Sequence, residues 1–147
     1  MIKKSVSYDN IAFMVDQLAE RVRVDYDYII GIGRGGLIPA TMLGYKLNKK
    51  VLTFGVNTYN DQVQEDNFVI YQQPEILKSK SRYLVVDDIC DSGNTFSIFK
   101  KLYDHNTSIP QHSFEYASLF VKDKSSHMVD YYGFSVPEKT WLVFPWE

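Results

Sequence analysis

The stretch Tyr83-Leu-Val-Val-Asp-Asp-Ile-Cys-Asp-Ser-Gly-Asn-Thr-Phe96 constrains this chain more than any other. Leu84, Val85 and Val86 form a short, partly β-branched apolar run of the kind buried in a parallel sheet, and it ends at the carboxylate pair Asp87 and Asp88. Ligands of open α/β sheets bind at the carboxyl ends of the strands, where two acids can coordinate Mg²⁺ or accept hydrogen bonds from sugar hydroxyls. Asp91, Ser92, Gly93, Asn94 and Thr95 then lead into an amphipathic segment, Phe96 to Tyr103, with Ile98, Phe99 and Leu102 on one face. A small-residue turn opening a helix presents free backbone N–H groups to a phosphate, and Ser92 and Thr95 add hydroxyl donors. The alternative makes Asp91 a helix N-cap and Asp87 and Asp88 solvated turn acids. Capping needs only one short polar residue.

The same strand, loop and helix order occurs earlier. Tyr28 to Gly33 is a short apolar strand, Arg34-Gly35-Gly36 a loop, and Leu37 to Leu47 a helical segment with Pro39 tolerable in its first turn. The glycines allow close backbone approach to a ligand, and Arg34 offers a charge-assisted contact to phosphate. Gly31, Gly33 and Gly36 loosely match a dinucleotide fingerprint, but no acid follows at a strand end about 20 residues on. The other alternative is a tight turn with no ligand.

Ser7 to Val22 reads as a first helix capped by Ser7, with Ile11, Met14, Val15, Leu18 and Val22 along one face. Val51 to Asn57 is a third strand and Phe68 to Tyr71 a returning one. Between them Thr58 to Asn67 is polar and aperiodic, and is expected to be a mobile loop or hairpin tip. Phe114 to Val121 is a further strand ending at Lys122, which either faces the same cleft as Asp88 and Arg34 or is a surface lysine. His105, His112 and His127 lack metal-ligand spacing and are expected to be solvated. The single cysteine, Cys90, excludes an internal disulfide and reads as a small space-filling side chain.

The strand, double acid and Asp-Ser-Gly-x-Thr turn together resemble the signature of the type I phosphoribosyltransferases. The tail, with Asp130-Tyr131, Val136-Pro137, Thr140-Trp141 and Pro145-Trp146-Glu147 after a strand ending in Lys122, is similar to the xanthine-guanine group of that family. The resemblance implies a single α/β domain over residues 1–147, with a mainly parallel central sheet flanked by helices, a lid at about 58–67 and a small hood at about 122–147. It implies purine salvage, in which phosphoribosyl pyrophosphate and a 6-oxopurine give a nucleoside 5′-monophosphate and pyrophosphate, with Mg²⁺ required. By the same resemblance Asp91, Ser92, Gly93, Asn94 and Thr95 hold the 5′-phosphate, with Asp91 also the general base. Asp87 and Asp88 hold the ribose hydroxyls, with Asp88 near the metal. Arg34, Gly35 and Gly36 face pyrophosphate, in a loop that often contains a non-proline cis peptide. Lys122 meets the purine 6-oxo group, Trp141 stacks on the base, the Leu142 backbone reads its edge, and Glu147 lies near the 2-substituent. Trp146 is expected in the core. Family lids often carry a basic residue, whereas residues 51–77 contain no Lys, Arg or His. The alternative is a fold-sharing regulator that binds phosphoribosyl pyrophosphate or a nucleotide without catalysis.

At 147 residues and 45% hydrophobic the chain is sized for one core. Its net charge of −2 and scattered basic residues give no support for nucleic-acid binding. No apolar run reaches membrane-spanning length, and the expected location is the cytoplasm. Eleven Tyr and nine Phe exceed what a small core requires and point to self-association, which the resemblance specifies as a homodimer or homotetramer.

Overall fold

A computed structural model of the chain describes residues 1–58, 68–75, 80–106 and 112–147. Apart from Thr58, the expected lid lies outside the described residues, as do 107–111 of the turn before His112. The elements run β1 (Ile2–Ser5), α1 (Tyr8–Arg21), β2 (Tyr28–Gly33), α2 (Leu37–Leu47), β3 (Lys50–Thr58), β4 (Phe68–Gln72), β5 (Arg82–Cys90) and α3 (Asn94–Phe99). A π-helical turn (Lys100–Asp104), β6 (Ser113–Lys122), a 3₁₀ turn (Asp123–Met128), β7 (Tyr131–Val136) and β8 (Thr140–Val143) follow.

Six strands form one sheet in the order β4-β3-β2-β5-β6-β7, parallel except for β4, which returns antiparallel along β3. Parallel strands covered on both faces bury successive side chains on alternate sides, and β5 does so. Leu84 and Val86 join one core with Ile11, Met14, Val15 and Leu18 of α1 and Ala40 and Leu43 of α2. Tyr83 and Val85 join the other with Phe96, Ile98 and Phe99 of α3. Phe99, fully buried, meets Phe54 edge-on at 5.3 Å between centroids and Phe114 at 5.5 Å, a cluster in which each buried ring contributes about 1.5–3 kcal/mol of transfer free energy.

The helices start and stop where local chemistry directs. Ser7 Oγ accepts the Asn10 N–H while Asn10 Oδ1 accepts the Ser7 N–H, a reciprocal cap that opens α1. Asn48 closes α2 in the left-handed region at φ 53°.

Because α2 covers one face of the sheet and α3 the other, the chain changes face between the neighbouring strands β2 and β5. Such a switch opens a crevice at the carboxyl ends of the two strands. The β2–β5 ladder stops at Gly31 opposite Val86, leaving the end of β5 clear of β2.

Three expectations are corrected. The signature strand does not end at the acid pair, because its ladder with β6 continues through Ile89 opposite Phe120 and Cys90 opposite Val121. The helix after it is regular only from Asn94 to Phe99 and widens into the π-helical turn. His112 is half-buried rather than solvated, its Nδ1 accepting the Ser81 N–H at 3.2 Å and its ring edge-on to Tyr83. β1 has no apolar signature in the sequence; it forms by parallel pairing with β8, Ile2 opposite Thr140 and Ser5 opposite Val143.

Candidate active site

The crevice is floored by the end of β5. Asp87 and Asp88 are neighbours on a strand and therefore diverge. Asp87 lines a cavity of about 110 Å³ with Thr58 and the run from Ile89 to Phe96, whereas Asp88 lines a separate open cavity of about 690 Å³ with Arg34, Gly35, Ile38, Trp146 and Glu147. Each carboxylate accepts the N–H of the residue after it, Asp88 N–H to Asp87 Oδ1 at 2.8 Å and Ile89 N–H to Asp88 Oδ1 at 2.7 Å, which fixes both side chains. Burial pushes the Asp87 carboxyl well above the usual carboxylate range, and the neighbouring charge of Asp88 adds to it. Asp88 is also raised, by burial first, with hydrogen bonds from Asp87 and Ile89 opposing and the charge of Glu147 adding. A buried acid pair of this kind favours any ligand that supplies positive charge or hydroxyl donors.

Beside Asp87, residues Asp91 to Thr95 wrap the smaller cavity. Gly93 sits at φ 84°, the left-handed region, and a Cβ there would also approach Met128 Cγ to 2.9 Å, so the turn requires glycine. Gly93 is the residue at the N-cap of α3, and the helix has no side-chain cap. Asp91 therefore does not cap it, and its exposed carboxylate extends from a backbone held by the Ser125 hydroxyl on the Asp91 carbonyl at 2.5 Å. Ser92 Oγ accepts the Asn94 N–H at 3.2 Å and shapes the turn.

On the other side, β2 ends at Gly33 and a cis peptide joins it to Arg34. The loop folds directly over β5. A Cβ on Gly36 would lie 2.5 Å from the Val86 carbonyl oxygen, and one on Gly35 2.1 Å from Asp88 Oδ2. Arg34 is exposed at the mouth of the larger cavity. A guanidinium, one glycine pressed onto a carboxylate, another pressed onto the β5 backbone, and an acid pair thus share one crevice.

The C-terminal segment reaches the crevice through Trp146 and Glu147, which line the larger cavity. Trp141 is 46% exposed on β8, so its indole face is available as a platform, while Leu142 is buried. Lys122, at the end of β6, is buried, and its ammonium donates to the carbonyls of Pro137, Glu138 and Thr140. Lys122 thus ties the Pro137–Thr140 turn. Trp146 packs on Phe144 at 5.0 Å with the rings nearly parallel, as expected of a core residue, yet it also walls the larger cavity.

Cys90 lines the smaller cavity but is buried, its thiol pushed up to about 12 by burial, which leaves it inert as a nucleophile near neutral pH. Thr58, the first residue of the expected lid, lines the smaller cavity, whereas sequence reasoning did not single out Ile38 as a wall residue, and no local pattern marks it; only the pitch of α2 brings it to the crevice. Among the described residues no three potential metal-ligating side chains cluster.

A family description, the phosphoribosyl transferase domain, matches residues 4–147. The chain is 36% identical over 121 residues to a xanthine-guanine phosphoribosyltransferase of Cereibacter sphaeroides, an alignment covering 81% of this chain and 68% of that protein. A second protein so named, from Idiomarina loihiensis, is 28% identical over 145 residues, 97% of this chain and 85% of that one. The crystal structure of a purine phosphoribosyltransferase from Pyrococcus horikoshii superposes with a TM-score of 0.85 at 30% identity, covering 100% of this chain and 95% of that one.

Proposed function

The chain belongs to the phosphoribosyl transferase family, and from that premise we propose that it is a purine salvage enzyme. It transfers the 5-phosphoribosyl group of phosphoribosyl pyrophosphate to N9 of a 6-oxopurine (guanine, xanthine or hypoxanthine), releasing pyrophosphate and a nucleoside 5′-monophosphate. The observation that carries this reading is the seating of the Arg34–Gly36 loop on Asp88 while Asp87 opens onto the Asp91–Thr95 cavity. Two anion sites on either side of an acid pair match a substrate with a phosphate at one end of its ribose and a diphosphate at the other.

In this reading Ser92, Gly93, Asn94 and Thr95 take the 5′-phosphate through backbone N–H groups and hydroxyls, and Asp87 and Asp88 accept hydrogen bonds from the ribose hydroxyls. Arg34, with the backbone at Gly35 and Gly36, holds the departing pyrophosphate and balances its growing charge as C1 becomes oxocarbenium-like. Asp91, exposed beside the ribose position and unused as a cap, accepts the purine proton as N9 attacks. Trp141 supplies the stacking face, Lys122 donates to the 6-oxo group, and the Leu142 backbone reads the base edge.

The donor set suits Mg²⁺, which is bound by one or two carboxylates together with substrate oxygens and waters, and Asp88 is such a carboxylate. Bound there, Mg²⁺ neutralises charge on the diphosphate.

Self-association as a homodimer or homotetramer is supported by aromatic side chains left open to solvent, among them Tyr45 on α2, Phe13 on α1 and Phe134 on β7. Among the described residues no helix is long and apolar enough to cross a membrane; a cytoplasmic location is part of the purine-salvage reading.

The test is a spectrophotometric assay with Mg²⁺, phosphoribosyl pyrophosphate and guanine, xanthine, hypoxanthine, adenine or uracil. Turnover with 6-oxopurines and not with adenine or uracil is expected. Binding of phosphoribosyl pyrophosphate with no turnover on any base would leave a regulator in place of an enzyme.

A further inference from the structure

Two glycines face each other at the carboxyl end of β2, Gly33 opposite Gly55 of β3. The absence of both side chains leaves a trough across the two strands, and the ring of Tyr71 from β4 lies in it. A Cβ on Gly55 would come within 2.3 Å of Tyr71 Cε2 and 2.6 Å of Cζ, while one on Gly33 would lie 3.0 Å from the Tyr71 hydroxyl. The ring therefore covers Gly55 and its oxygen reaches Gly33, the residue joined by the cis peptide to Arg34. That position is on the side of the sheet where the loop turns into α2, since the same Gly33 Cβ would lie 3.7 Å from Leu37 Cδ1. β4 is held there by its antiparallel ladder, with an irregularity between Gly55 and Val56 beside the trough.

The phenol oxygen has no hydrogen-bond partner among the described residues, and the side chain is 50% exposed. Packing in the trough needs only the ring, so the hydroxyl is free to serve a ligand. It stands beside the loop that carries Arg34, in a chain whose residues 51–77 supply no Lys, Arg or His. We propose that Tyr71 is a pyrophosphate-binding residue, its O–H donating to a diphosphate oxygen held by the Arg34–Gly36 loop. This assignment rests on the phosphoribosyltransferase reading. A neutral donor there adds a charge-assisted hydrogen bond to the anion without placing a second fixed cation next to Arg34.

The substitution Tyr71→Phe keeps the ring in its trough and removes only the donor. Calorimetry with Mg²⁺ and pyrophosphate, and steady-state kinetics in phosphoribosyl pyrophosphate, should show Kd and KM raised about tenfold, the worth of one hydrogen bond to a charged group. Binding of guanosine monophosphate, which lacks the diphosphate, and the thermal midpoint should match the wild type. Unchanged pyrophosphate affinity in Tyr71→Phe would overturn the assignment, as would an equal loss of guanosine monophosphate binding, which would signal general distortion. A wild-type protein that binds neither pyrophosphate nor phosphoribosyl pyrophosphate would overturn the underlying reading and this assignment with it.

Discussion

Gly35 and Asp88 are in contact across the crevice so closely that no side chain fits between them: a Cβ on Gly35 would lie 2.1 Å from Asp88 Oδ2 and 2.6 Å from its Cγ. The loop that carries Arg34 is thereby set by the acid it serves beside. Gly35→Ala must displace either the loop or the carboxylate, and a shift near 1 Å at reacting groups costs on the order of 10²-fold in rate. We expect kcat/KM for phosphoribosyl pyrophosphate to fall by about that factor, while guanosine monophosphate, whose phosphate the proposed reading assigns to the Asp91–Thr95 cavity, still binds in calorimetry.

Asp91→Asn removes a proton acceptor while leaving the Ser125 bond to the backbone carbonyl intact. Its kcat should drop by a factor of roughly 10² to 10⁴, with phosphoribosyl pyrophosphate affinity and far-ultraviolet circular dichroism unchanged. A rate close to wild type would assign the proton transfer elsewhere.

Lys122→Met deletes the donor shared by three carbonyls of the Pro137–Thr140 turn and leaves them facing an apolar side chain. Loss of a buried charged donor of this kind costs on the order of 3 kcal/mol, so chemical denaturation should show a clear fall in stability. KM for the 6-oxopurine should rise with it, whereas the affinity for pyrophosphate should not change.

The pH dependence of stability has a defined sign at high pH. Tyr26 donates to Glu115 at 2.6 Å and Tyr116 to Asp104 at 2.8 Å, and burial with the facing carboxylate raises both phenols well above their ordinary value of 10.0. The folded state therefore holds these protons more tightly than the unfolded chain does, a contribution fully present below pH 10 and lost as pH rises above it. Urea denaturation at pH 9 and pH 11 should show the loss, and the double substitution Tyr26→Phe, Tyr116→Phe should flatten it.

Much of the fold around the candidate site was legible because its parts are local. β2 and α2 run over the expected residues, Tyr28–Gly33 and Leu37–Leu47, since the apolar run and the glycine loop after it mark the boundary chemically. The two strand, loop and helix units each carry their own acids, glycines or cation, so their adjacency follows once both strands enter one sheet. Long-range pairing was not legible. β5 continues past its acids because β6 offers it a partner through Val121, and β1 exists because β8 does. His112 is half-buried by Tyr83 and Phe114, distant in sequence or indistinguishable from surface neighbours. The use of the Lys122 donors, likewise, depends on a turn that follows β7.

The pairing of β1 with β8 also bears on folding. Ile2 and its partner Thr140 lie far apart in sequence, in a two-stranded sheet separate from the six-stranded one. Contacts of such wide sequence separation form late, after closer ones have paid the entropy of bringing the ends together. A chain cut short of Thr140 would contain the Asp91–Thr95 turn and the Arg34 loop, but neither Trp141 nor the strand that carries it. On the proposed reading such a chain keeps the residues assigned to the sugar phosphate and lacks the stacking face assigned to the base, so the two halves of substrate recognition close at different stages of folding.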